Sequence, residues 1–177
     1  TKVSAGCAHC YAEARNNRFS GGANWGPGKP RRRTSSANWR KPLLWQRNHD
    51  DFGEDGHRMK VFPSLCDWLD EEVPIEWLAD FLKLIHDTPN LDWLLLTKRP
   101  ENIERMLPEE WSSWGHFEAH GSLPGGSVFP QNVWIGVSAE NQEQFMARWP
   151  VLENVGRRWY VPRLLVSAEP LLGPMKI

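Results

Sequence analysis

A chain of 177 residues with 40% apolar side chains suits one domain with a substantial core and excludes a globally disordered polymer. A formal net charge of −1 excludes a surface that binds polyanions as a whole, and three unevenly spread cysteines exclude a secreted disulfide scaffold. No apolar run reaches transmembrane length and no signal-peptide pattern is present, so a reducing, cytoplasmic setting without a membrane partner is expected.

The chain opens on TKVSAGCAHCYAEARNNRF, with Cys7 and Cys10 spaced C-x-x-C ahead of a helix-compatible run. A tight turn at this spacing can aim two thiolates at one metal centre. The spacing alone leaves half a zinc site, part of an iron–sulfur site, a redox pair and a disulfide all open. Gly21 and Gly22 stop the helix. The following stretch to about residue 58 is rich in Gly, Pro, Ser and Asn and reads as a long irregular excursion. Within it, residues 29–47 carry seven basic side chains and no acidic one, with Trp39 and Trp45 interleaved. Arg31, Arg32, Arg33, Trp39, Arg40 and Lys41 suit phosphate contacts and base stacking. A solvated loop pinned to the body by its tryptophans is the plainer reading.

From Met59 the texture changes to alternating strands and helices. MKVFPSLC reads as a buried strand that ends near Pro63, with Cys66 as a core thiol and Asp67 at the strand's exit. Pro74 opens a helix whose Trp77, Leu78, Phe81, Leu82 and Ile85 share one face. LDWLLLT (91–97) is a continuous apolar strand ending in Thr97-Lys98-Arg99, followed by a helix over 101–107. A second Gly/Ser/Pro-rich insertion spans 112–130. NVWIGV (132–137) is the next strand, ending in Ser138-Ala139-Glu140. A helix over 141–155, with Phe145 and Met146 inward, breaks at Pro150. RLLV (163–166) is the last strand and ends in Ser167-Ala168-Glu169.

Repeated βα units of this kind specify an α/β fold on a parallel sheet or barrel, read as a single domain over 1–177 with irregular insertions at about 20–58 and 112–130. Active sites in such folds lie at the C-terminal ends of the strands. Asp67, Thr97, Lys98, Arg99, Ser138, Glu140, Ser167 and Glu169 all fall there. The cysteine turn would join them if it follows a strand that lies before Thr1. A start without Met inside a motif, and an end straight after a strand, read as a fragment trimmed at both ends.

Six ordered motifs, TKVSAGCAHCYAE, ANWRKPLLW, VFPSLCDWLD, LLLTKRPENIERM, NVWIGVSAENQ and VSAEPLLGPM, resemble an uncharacterised bacteriophage-protein family. That family is named after gene products thirty-seven and sixty-eight and is a domain of unknown function common in bacterial genomes. It is in turn similar to radical S-adenosylmethionine enzymes, which hold a [4Fe–4S] cluster on three cysteines in a loop of a partial (β/α) barrel. The resemblance implies a TIM-barrel-like, partial parallel barrel of that type, truncated at both ends. It implies Cys7 and Cys10 as metal ligands, with a third cysteine just upstream of Thr1. It also implies S-adenosylmethionine as cofactor, and contacts to it from Asp67, Thr97, Lys98, Ser138, Glu140, Ser167 and Glu169. An electron donor would be a partner. In that motif context a metal is preferred to a disulfide, and iron–sulfur to zinc, because no second C-x-x-C or C-x-x-H pair completes a zinc site. The expected function is a radical S-adenosylmethionine-type enzyme of phage or bacterial origin, with nucleic acid or a nucleotide as the substrate class considered. The alternative is a non-catalytic, metal-stabilised nucleic-acid-binding phage protein that uses the basic segment.

Overall fold

Apolar segments of strand length separated by amphipathic helices have one economical solution, a sheet covered by the helices that connect its strands. The computed structural model describes residues 2–48, 58–107 and 129–177. A 3₁₀ turn (Ala5–His9) leads into α1 (Tyr11–Ser20), and α2 (Ser36–Arg47) follows. Then come β1 (Met59–Val61), α3 (Ile75–His86), β2 (Leu91–Thr97), a 3₁₀ turn (Pro100–Asn102) running into α4 (Ile103–Met106), β3 (Val133–Ser138), α5 (Gln142–Arg158) and β4 (Arg163–Ser167). Among the described residues the strands form one four-stranded sheet in the order β1-β2-β3-β4, every pairing parallel. The sheet is not closed. For parallel strands in consecutive order, right-handed crossovers are the rule and put the connecting helices on one face.

The two faces differ in burial as that winding requires. Trp93, Leu95 and Thr97 of β2 and Val133, Ile135 and Val137 of β3 are essentially solvent-free. They share the face covered by the helices: Phe81 of α3 meets Trp93 edge-on at 5.5 Å, and Gly156 of α5 lies against Leu164. The alternate residues Leu94, Leu96, Trp134 and Leu165 are only half-buried. Gly136 belongs to this second face, because a Cβ there would stand 2.5 Å from Leu165 and 2.6 Å from Leu96.

Four local expectations are corrected. The segment 20–58 is not irregular throughout: Ser35 caps α2 by accepting from the Asn38 amide, and no glycine interrupts 36–47. Trp39 of α2 meets Phe81 of α3 at 6.4 Å, so packing on α3 stabilises a helix of modest amphipathicity. α5 runs through Pro150 without a break, because the proline lies on the exposed side, where water can serve the carbonyl its ring displaces. Phe145 is buried as expected, but Met146 is 59% exposed. β1 stops at Val61, and Cys66 falls in an exposed turn beyond it, not in the core. The α1 stop is as expected, with Gly21 in the left-handed region at φ 56°. The insertion at 112–130 lies outside the described residues apart from Phe129 and Pro130.

Candidate functional site

The parallel register aligns the strand ends. Ser138 pairs with Ser167, and extending the β2–β3 register by one residue brings Lys98 level with Ser138. All three follow the alternation onto the half-buried face. The cysteine turn sits over this edge. The Val3 amide donates to Cys7 Sγ at 3.4 Å, and Lys98 Nζ lies 3.6 Å from the same sulfur. Burial pushes the Cys7 thiol up, but hydrogen bonds from Val3 and Ser4 and the Lys98 ammonium outweigh it and hold the thiol below its ordinary value. Cys10 forms the N-cap of α1, half-buried, with its carbonyl accepting from the Glu13 and Ala14 amides. The Tyr11 hydroxyl donates to the Ser64 carbonyl at 2.9 Å and ties the start of α1 to the turn after β1.

Glu140, just past β3, is wholly buried. One carboxylate oxygen accepts from the Gly6 amide at 3.0 Å; the other accepts from Arg148 at 3.1 Å and lies 3.9 Å from Lys98 Nζ. Arg148, on α5, also donates to the Ser138 carbonyl at 2.6 Å. Burial raises the Glu140 pKa, yet its hydrogen-bond donors and Lys98 prevail and bring it down to about 2, so the carboxylate is ionised. The buried Ser4 hydroxyl lies close to Glu140 and Cys7, at a geometry short of a formed hydrogen bond.

A second network braces the β1 exit. Asp67 accepts from the Thr97 hydroxyl at 2.8 Å, from the Lys98 amide at 3.2 Å and from Arg99 at 2.8 Å. Thr97 in turn accepts from the Arg99 amide at 2.9 Å. Asp67 and Thr97 are thus bound to one another, and this bracing fixes the backbone from which Lys98 projects. The Ser167 carbonyl accepts from the Ala139 amide at 2.9 Å, which continues the sheet past Ser138, whereas Glu169 is exposed.

The basic segment lies elsewhere. Arg31 pairs with Asp70 at 3.0 Å and Glu72 at 3.1 Å, and Arg33 with Asp80 at 2.6 Å while covering the Trp39 ring at 4.0 Å. Arg32, Arg40 and Lys41 are exposed. Arg40 joins Arg33, Trp39 and Asp80 in a shallow groove of about 510 Å³ between α2 and α3.

Sequence reasoning missed Gly6 and Arg148. Arg148 had a signal: it falls on the 145–152–155 apolar stripe of its helix, where an arginine needs a buried acceptor. Gly6 had none, because what it meets is 134 residues away in sequence.

Fold and site together define an open, parallel-sheet α/β protein with a thiol-bearing loop seated at the C-terminal edge of its strands. Its motifs belong to a family: a family model described as "Protein of unknown function (DUF5131)" matches residues 1–177, and the chain belongs to that family. No curated protein and no solved structure matches it.

Proposed function

We propose that this chain is an iron–sulfur, S-adenosylmethionine-dependent radical enzyme acting in a partial (β/α) barrel, with Cys7 and Cys10 as two of the cluster's thiolates. The observation that supports this most is the seating of the C-x-x-C turn on the C-terminal edge of a consecutively ordered parallel sheet. The donor chemistry fits in part. The Cys7 thiol is held below its ordinary value, in the direction that favours the metal-ligating thiolate. Among the described residues no three His, Cys, Asp or Glu side chains gather as a metal-holding group. A cluster here therefore takes its third thiolate from outside them, as the cysteine expected upstream would provide.

A cluster held by Cys7 and Cys10 would supply one-electron reducing chemistry toward a sulfonium cofactor, with its electrons drawn from a separate donor. This chain's residues bind and orient. Lys98 holds a carboxylate, while the Ser138 and Ser167 hydroxyls take amino or hydroxyl groups on the half-buried face. Asp67 and Thr97 position Lys98 through the backbone, and Glu169 stands at the exposed rim. The nucleic-acid-binding alternative has weaker support, since Arg31 and Arg33 already face internal carboxylates.

The test is anaerobic iron and sulfide analysis, with a visible spectrum, on the chain together with its upstream sequence. About four irons per chain and a charge-transfer band that changes on adding S-adenosylmethionine are expected. Zinc, or no metal in anaerobic material, overturns the proposal.

A further inference from the structure

We infer that Glu140 is a positioning residue for the cysteine loop: its buried carboxylate clamps the Gly6 amide and thereby seats Cys7 over the strand ends, and it does not itself contact a bound cofactor. The inference rests on the reading of Cys7 as a ligand, but its geometry stands without a metal.

Three observations carry it. Glu140 is solvent-free, and its two oxygens are engaged separately, one by the Gly6 amide and the other by Arg148. Arg148, 5% exposed and fastened to the Ser138 carbonyl, fixes the carboxylate to β3 and α5. The remaining contact, to the loop, is also a packing contact. A Cβ on Gly6 would lie 3.1 Å from the Glu140 carboxyl carbon and 3.2 Å from Cβ and Cγ of the same side chain. Gly6 has no positive φ, so what favours glycine there is the close approach of the Glu140 side chain and not backbone conformation. Lys98 completes the arrangement, reaching Cys7 at 3.6 Å and Glu140 at 3.9 Å. A carboxylate with no solvent-exposed surface is closed to an incoming amino group, and what it holds is the loop amide next to the ligand cysteine.

The test uses hydrogen–deuterium exchange of residues 3–10 in the full chain without metal, with β3 and α5 as internal references. Gly6→Ala keeps both the Glu140 and Arg148 side chains but sets a methyl against the Glu140 carboxyl carbon, and is expected to raise loop exchange roughly tenfold or more while the reference amides stay protected. Glu140→Ala should do the same to the loop, and Glu140→Gln, which keeps an acceptor for the Gly6 amide, should restore most of the protection. Should Glu140→Ala unfold the chain, Gly6→Ala alone decides. Loop exchange unchanged in Gly6→Ala, or loop and reference amides rising together, overturns the clamp. Iron content is scored separately on reconstituted protein. A clamp effect in a chain that never takes up iron refutes the cluster proposal and leaves the clamp standing. Iron uptake with no clamp effect does the reverse.

Discussion

Two polar segments are laid against the same sheet and are built differently. The basic stretch 29–47 carries the denser charge, yet Arg31 and Arg33 run outward to separate carboxylates on the segment between β1 and α3 and on α3 itself. The cysteine loop carries little charge of its own, but Lys98, Glu140 and Arg148 converge beneath it, Glu140 wholly buried, Arg148 nearly so and Lys98 partly exposed. Charge that faces many partners in partial solvent acts as fastening. A buried carboxylate and its arginine hold the loop in place, and Lys98 beside them adds to the Val3 and Ser4 hydrogen bonds that lower the Cys7 thiol.

Burial then ranks the consequences of breaking each contact. Arg148→Leu strips the solvent-free Glu140 of its closest cation, and should cost about 3–5 kcal/mol in urea unfolding. A loss under about 1 kcal/mol would mean the loop network is no tighter than the basic one. Acid probes the same carboxylate without mutation. Glu140 is depressed to about 2 from 4.5, so its contribution is fully present above pH 4.5 and is lost as pH falls toward 2. That loss should amount to about 2–3 kcal/mol, read as a steeper acid limb of the stability curve than in Glu140→Gln.

Arg31→Ala frees Asp70 and Glu72 at a site where both members of the Arg31–Asp70 pair are about one-eighth exposed. It should cost about 2 kcal/mol in the same assay. A variant of wild-type stability that binds nucleic acid less tightly would reverse the comparison and favour the basic segment as the functional one. Arg33→Ala, at a more exposed pair and one ring contact, should cost about 1 kcal/mol or less. The smallest effect sharpens the picture at the sulfur. Lys98→Gln removes the ammonium that lowers the Cys7 thiol, so the pH profile of its alkylation by iodoacetamide should move to higher pH. An unmoved profile would leave the Val3 and Ser4 hydrogen bonds as sufficient cause.

The apolar runs LDWLLLT and NVWIGV made the parallel sheet legible, and their polar exits marked the edge where Lys98, Ser138 and Ser167 line up. Those features are local, and strand periodicity with chain direction suffices to place them. The division of labour among the exits was not legible. Glu140 and Glu169 look alike in sequence, each closing a Ser-Ala-Glu strand end, yet one is solvent-free and the other exposed. Asp67 and Thr97 read as independent candidates and turn out to satisfy each other.

The sequence by itself determined the alternation of strands and helices from Met59 onward, their order, the unknown-function family and the pair of cysteines, because each of these is written in spacing along the chain. Only the tertiary structure decided that Gly6 packs closely against Glu140, that Arg148 reaches back to β3, and that the basic residues Arg31 and Arg33 meet carboxylates. Those facts depend on which groups meet across tens of residues, and on which of them leave water when they do. Pairing and desolvation are properties of the packed fold and not of local spacing.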